Sequence, residues 1–236
     1  VEALVGREVQ GVGRRGKYLI LSLVGGPHLL VHLKRWAWLW FGPASYAPTG
    51  STELRLTFDG RFDLRLIEPT PIRLAQVWVV DDLERAEPLQ GLGVEPLSPQ
   101  FSPTTLQALI AGKRRALKRL LVDQSLIAGI GNAFADEILF RARLSPVRFA
   151  HTLNDNELER LAHAVTSTLA WGVEEIEKRL GDHLFEKEIR DFLDVHGRPG
   201  EPCRICGTTI EEFLLEGQRT DYCPACQEVN RPLRGR

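Results

Sequence analysis

Residues Leu117–Pro146 read LKRLLVDQSLIAGIGNAFADEILFRARLSP, two stretches of helical apolar spacing around a break that cannot itself be helical. Apolar residues recur every three or four positions from Arg114 to Val122 and again from Ala133 to Arg143, the spacing that gives a helix one buried face. From Asp123 to Gly131 the pattern stops, with Gly129 and Gly131 flanking Ile130, and Asn132 stands where the second helix needs its N-cap. A glycine-rich turn feeding a helix start aims backbone N–H groups and the positive end of the helix dipole outward, which makes an anion site. Lys113, Arg114, Arg115, Lys118 and Arg119 lead into that turn. A glycine turn before a capped helix is also common without any ligand, so the stretch decides a helix–two-turn–helix and leaves phosphate binding open.

Outward from this segment, Thr104 to Ile110, Asn156 to Trp171 and Val173 to Leu180 also carry helical spacing, and Asn154 and Asp155 sit at the cap positions of the second of these. Towards the N-terminus the period changes to that of strands. Tyr18 to Val24 and His28 to Leu33 are apolar runs separated by Gly25-Gly26-Pro27; Leu54 to Phe58 alternates, turns at Asp59-Gly60 and continues through Arg61 to Leu66; Gln76 to Val80 is a further short strand. Trp36, Trp38 and Trp40 alternate and so would share one strand face, as core or as sheet-surface aromatics. Short strands joined by turns predict an antiparallel sandwich or barrel. Pro96 to Pro103, with three prolines and two serines, reads as a linker. The expected fold is therefore α+β and multidomain: a β-sandwich over 1–97, a helical domain over 98–196 and a cysteine-bearing module over 197–236.

All four cysteines fall in that last module as Cys203-x2-Cys206-x16-Cys223-x2-Cys226. Two CxxC pairs at this separation predict two knuckles joined by a β-hairpin around one tetrahedral zinc ion, structural because four thiolates leave no open position. The competing reading is two disulfides in a secreted protein, and the first thirty residues show no secretory signal. Arg198, Arg204, Arg219, Arg231, Arg234 and Arg236 surround the hairpin, so it is either a stapled terminus with a solvated surface or a wedge whose arginines meet phosphates. No run of 18 apolar residues exists, so no membrane partner is expected. With 30 basic and 31 acidic residues the formal net charge is -1, which neither supports nor excludes a polyanionic partner, since only the charge on one face matters to it.

The stretch DQSLIAGIGNAFADEILFRARLSP, the HGRPGEPCRICG approach to the cysteines with the hairpin spacing, and the RRGKYLILSL strand that begins at Arg14 resemble, in the same order, the formamidopyrimidine-DNA glycosylase and endonuclease VIII family. The likeness extends from Arg14 to Cys226. It implies an incomplete N-terminal β-sandwich, a helix–two-turn–helix domain and a zinc hairpin holding duplex DNA in a cleft. It also implies a base-excision repair activity on oxidised bases or abasic sites, by a monomer with a cytoplasmic, nucleoid-associated location. By resemblance Lys17 matches a basic residue near the phosphate of the damaged nucleotide, its alternative being a solvated strand lysine; Asn132 matches an asparagine on backbone phosphate. Arg219 lies near the hairpin arginine that clasps phosphate, although Gln218 holds that register and Arg219 comes one position late. Asp136 and Glu137 are expected to be structural partners of nearby cations.

In this family an N-terminal proline amine attacks C1′ of the damaged nucleotide, and a Schiff base then leads to β,δ-elimination. This chain has no PELPE-like start: residue 1 is Val, there is no methionine, and Val1-Glu2-Ala3-Leu4-Val5-Gly6-Arg7 resembles a point further into the family's first sheet. No catalytic residue is assigned within the chain, Glu2 included, and the nucleophile is expected upstream of Val1. Where the family carries a methionine turn and an arginine–phenylalanine loop, this chain has Lys34-Arg35-Trp36-Ala37 and Glu68-Pro69-Thr70-Pro71-Ile72-Arg73, so Arg35, Trp36 or Arg73 is expected to fill the gap left by an everted base. Two alternatives stand beside the enzyme: a damaged-DNA-binding protein that keeps the clamp without the chemistry, and a zinc-dependent interaction module unrelated to DNA.

Overall fold

The computed structural model describes residues 2–181 and 188–228. Among them, residues 2–90 with 179–181 and 188 form one compact unit, and residues 91–178 with 189–228 form a second.

The first unit is built from seven strands: β1 (Val9–Arg15), β2 (Tyr18–Leu23), β3 (His28–His32), β4 (Trp38–Pro43), β5 (Thr52–Phe58), β6 (Phe62–Ile67) and β7 (Gln76–Val80). They make two antiparallel sheets, in the orders β1-β2-β3-β7 and β4-β6-β5. Alternation places Leu19 and Leu21 of β2, Leu29 and Val31 of β3 and Val77 of β7 in one apolar cluster with Leu39, Leu54, Leu56 and Leu66 of the second sheet. The Arg14–Leu23 stretch is not one strand. Gly16, at φ 55°, turns the chain so that Arg15 pairs with Tyr18 across a hairpin and Lys17 stands in the turn. Trp36 lies outside β4, in an exposed turn with Lys34 and Arg35, so the three tryptophans do not share a strand face. Trp40 does lie on the sheet, where the Arg65 guanidinium stacks 4.5 Å from its ring centroid and Asp63, fully buried, bonds Arg55, Arg65 and Thr57.

The second unit holds α1 (Pro103–Ile110), α2 (Leu117–Leu121), α3 (Asn132–Arg141), α4 (Asp155–Leu180) as far as Lys178, and a hairpin of β8 (Glu211–Leu215) and β9 (Gln218–Tyr222). Ser102 caps α1 by accepting from the Thr105 amide. Asn154 caps α4: its Oδ1 accepts from the Glu157 amide, while Glu157 accepts from the Asn154 amide, a reciprocal box. Two expectations fail here. Residues 114–116 lie outside the helix, because Ala116 is extended and bridges Phe149 and the Leu117 amide donates to the Arg148 carbonyl. Asn156–Trp171 and Val173–Leu180 are one helix, not two, because Gly172 serves close packing instead of a break. A Cβ at Gly172 would lie 2.3 Å from the Phe134 ring of α3.

The proline-bearing stretch 96–103 lies within this unit, and the residues just before it brace the two-turn loop. Gly93 and Val94 donate to the Gln124 and Leu126 carbonyls, and the Ala128 amide donates back to Val94. Inside the loop, Gln124 bonds the Val122 and Ile130 carbonyls and the Gly129 amide, so a segment with no regular structure still has its buried backbone groups paired. A Cβ on Gly93 would meet the Leu126 backbone at 2.2 Å, where nothing flexible can yield. Gly93→Ala is therefore expected to destabilise the second unit by about 1–3 kcal/mol, read as a lower midpoint in denaturant unfolding with an unchanged slope.

Candidate nucleic-acid interface and zinc centre

The four cysteine sulfurs lie within 4.8 Å of one another, with Cys203 Sγ to Cys226 Sγ 3.9 Å and Cys206 Sγ to Cys223 Sγ 3.5 Å. These separations are nearly twice a disulfide bond and close to the roughly 3.8 Å edge of a tetrahedron with zinc–sulfur distances of about 2.3 Å. The Ile205 and Cys226 amides donate to the Cys203 and Cys223 sulfurs, the arrangement a thiolate knuckle needs. Left without a cation the thiols disagree: Thr208 hydrogen bonds pull Cys206 down to about 6, while burial pushes Cys223 up to about 11 and raises Cys226 as well. A divalent ion in place of the protons removes that conflict. The donor set fits one structural zinc ion, held by Cys203, Cys206, Cys223 and Cys226.

Lys118 is the residue sequence reasoning misplaced. Counted among the basic residues that lead into the glycine turn, it is fully buried, its ammonium 2.6 Å from Asp136 Oδ1, so Asp136 does pair a nearby cation as expected. It donates to the Arg219 carbonyl at 2.7 Å and to Thr220 Oγ1 at 2.9 Å. Its pKa is lowered by burial, with Asp136 opposing. Asp136 Oδ2 also meets His196 Nδ1 at 2.8 Å, and Asp221 Oδ2 accepts from the Gly197 amide at 2.6 Å. Asp136, His196 and Asp221 have the composition of a second metal site, but the Lys118 ammonium already supplies the positive charge there. Glu137 departs from the expectation that it pairs a cation. Its carboxylate accepts from the Asp194, Val195 and His196 amides, at 3.0, 2.9 and 2.9 Å.

This network carries two of the expected DNA-contacting residues to one place. Asn132 does not cap α3; it is the first residue of the helix after Gly131, and its Nδ2 donates to the Arg219 carbonyl at 2.9 Å. Asn132 and Arg219, 87 positions apart, are therefore joined at the start of α3. Arg219 is about half exposed; its Nε donates to Asp221 Oδ1 at 3.0 Å, and Glu212 Oε2 lies 3.1 Å away as an ion pair. Gln218, on the adjoining position of β9, turns inward far enough to bury its side-chain oxygen. Of the other hairpin arginines, Arg198 and Arg204 are tied to the carbonyls of Asp194 and Phe192, and Arg231, Arg234 and Arg236 lie outside the described residues.

In the first unit, Lys17 stands in the turn after Gly16, and partial burial of its ammonium lowers its pKa. Its charge reaches His32, whose pKa is pushed down to about 4 by burial first and by Lys34 and Lys17 next. His32 Nδ1 accepts from the Lys34 amide at 3.0 Å and so fixes the turn that exposes Arg35 and Trp36. Arg73 is more confined: its Nε meets Glu53 at 2.7 Å, and its Nη1 donates to the Glu68 and Thr70 carbonyls. Buried Glu68 holds the same loop by accepting from the Leu74 and Ala75 amides.

Three outcomes follow. Cys223→Ser should release the bound zinc, measured as metal per chain, and unfold the hairpin. Lys118→Met leaves Asp136 buried without its counter-charge and should cost about 3–5 kcal/mol of stability. His32 has a folded pKa below its ordinary value of 6.5, so its contribution is complete above that value and is lost as pH falls towards about 4. The melting temperature of the first unit should fall over that window, and His32→Gln should flatten the fall.

The N-terminal domain model of formamidopyrimidine-DNA glycosylase matches residues 1–72, that family's H2TH domain model matches 92–181, and the zinc finger found in FPG and IleRS matches 200–229. A formamidopyrimidine-DNA glycosylase of Synechococcus elongatus is 34% identical over 240 residues, 99% of this chain and 84% of that protein. One from a Roseiflexus species is 36% identical over 231 residues, 96% and 84% respectively. The crystal structure of the MutM (Fpg) protein from Thermus thermophilus superposes with a TM-score of 0.82 at 37% identity, covering 96% of this chain and 85% of that one. With a β domain, a helix–two-turn–helix and a four-cysteine hairpin in the same order, this chain belongs to the formamidopyrimidine-DNA glycosylase family.

Proposed function

We propose that this chain is a base-excision repair protein of the DNA glycosylase/AP lyase type, working on duplex DNA that carries oxidised bases or abasic sites. The observation that carries this reading is the joining of Asn132 to Arg219 at the first turn of α3. That contact ties the backbone of Arg219, whose guanidinium is half exposed, to the start of a helix, and a guanidinium and helix N-terminal N–H groups are donors of the kind a phosphate takes. Membership of a family whose relatives are DNA glycosylases supports the same reading. A division into a β-sandwich, a helical domain and a zinc module is part of the proposal, with residues 91–97 going with the helices they brace rather than with the sandwich, as is a monomer with a cytoplasmic, nucleoid-associated location.

Each unit brings its own contacts. Asn132 and Arg219 hold backbone phosphate from the second unit. From the first, Lys17 holds phosphate, and the Lys34-Arg35-Trp36 turn offers Arg35 and an exposed indole to the space left by an everted base. Arg73 joins them by exchanging its loop carbonyls for phosphate oxygens. Everting a nucleotide costs a few kcal/mol, which clamped phosphates offset by bending the backbone. Zinc takes no part in bond breaking; it keeps β8 and β9 rigid beneath Arg219.

Two measurements test this. Titration of a duplex with a single abasic analogue should show binding that weakens steeply with salt, with Lys17→Gln reducing the logarithmic salt slope by about one. Borohydride trapping on a true abasic site reports the chemistry. A trapped covalent complex shows that an amine of this chain reaches C1′, whereas tight binding without trapping supports the damage-binding reading. Equal affinity for damaged and intact duplex would refute both.

A further inference from the structure

The guanidinium of Arg219 is held in an unequal way by two carboxylates. Its Nε donates to Asp221 Oδ1 at 3.0 Å and lies 3.1 Å from Glu212 Oε2, and among the described residues its two terminal nitrogens make no hydrogen bond. Asp221 is buried and cannot swing away: its other oxygen accepts from the Gly197 amide at 2.6 Å and faces His196 Nδ1 at 3.6 Å. Glu212 is paired through its backbone across the hairpin with Asp221 but its side chain is half exposed, and among the described residues Arg219 is the only ion-pair partner of its carboxylate. One carboxylate is part of the packed interior and the other is free to leave.

From this asymmetry we propose that Asp221 is the positioning residue of the Arg219 guanidinium, and that Glu212 competes with phosphate for it. The inference rests on the reading of Arg219 as a phosphate contact. With Nε fixed, the four N–H groups of the terminal nitrogens are presented outward as a preset fork, so little side-chain freedom is lost when a phosphate takes two of them. Glu212 puts a negative charge beside that same fork, and a phosphate gains the site by displacing or outlasting it. The free protein therefore carries its own carboxylate surrogate for the ligand, which weakens casual contacts with polyanions and is outweighed where several phosphates engage together.

The test uses opposite signs. Asp221→Asn and Glu212→Gln each remove one negative charge, so a purely long-range electrostatic account predicts tighter DNA binding from both. The positioning account separates them. An asparagine has one acceptor oxygen where two bonds must be accepted, so Arg219 is released and affinity falls. Fluorescence anisotropy of the zinc-loaded chain on a short duplex with one tetrahydrofuran abasic analogue should show Arg219→Gln weaker by about tenfold, Asp221→Asn weaker by several-fold and Glu212→Gln tighter by several-fold. In the Arg219→Gln background both further changes should vanish. Tightening by Asp221→Asn, or effects of either variant that persist without Arg219, would overturn the proposal. If Asp221→Asn fails to retain one zinc per chain, Glu212→Gln decides alone: no tightening, or tightening independent of Arg219, overturns it. Unchanged binding by Arg219→Gln would instead remove the phosphate-contact reading beneath it.

Discussion

A lysine ammonium taken wholly out of water constrains everything around it. Lys118 sits on the first helix of the helix–two-turn–helix, between leucines that face the core, and its charge must be met where it lies. It meets Asp136 on α3 and two oxygens on β9, so satisfying one buried ion requires α2, α3 and the hairpin to be in place together. Such an arrangement adds little net stability over an apolar packing of the same volume. What it supplies is register, since a shift of β9 by one residue would present a different set of oxygens to the ammonium.

Neighbouring residues of α3 extend the same logic in other directions. Successive side chains on a helix diverge by about 100°, so Asp136 and Glu137 reach different partners. Asp136 takes the lysine and the His196 ring, while Glu137 gathers three consecutive amides of the segment that leads to the cysteines. Gln227 adds a tie from the far side, donating to the Leu144 carbonyl beyond α3 and accepting from the Cys223 amide. A hairpin of two five-residue strands cannot stand by itself. Zinc closes it internally, and these polar contacts seat it on the helices.

The functional consequence appears at the rim of this buried order. The Arg219 carbonyl is held by Lys118 and Asn132, and its guanidinium by two carboxylates, so an exposed side chain inherits a position fixed from inside. The first unit works on the same principle: His32, kept neutral by burial, pins the turn that carries Arg35 and Trp36, and Glu68 pins the loop that carries Arg73.

Features that rest on neighbouring residues were legible in the amino-acid order. The CxxC pairs, the Asp59-Gly60 and Gly25-Gly26 turns, the capped start of α4 and the broken helix after Val122 all follow from local chemistry, and each stands in the structure. Where the reading failed, a distant partner had decided the matter. Gly172 reads as a helix break until Phe134 is packed against it; Lys118 reads as one of the cations leading into the glycine turn until Asp136 and β9 enclose it; Asn132 reads as a cap until the Arg219 carbonyl takes its amide. Backbone preference and ligand spacing act over a few residues and leave their mark in the sequence itself. Whether a charge faces water or a counter-ion is settled only when segments far apart in the chain close over it, because the cost of burying that charge depends on what surrounds it.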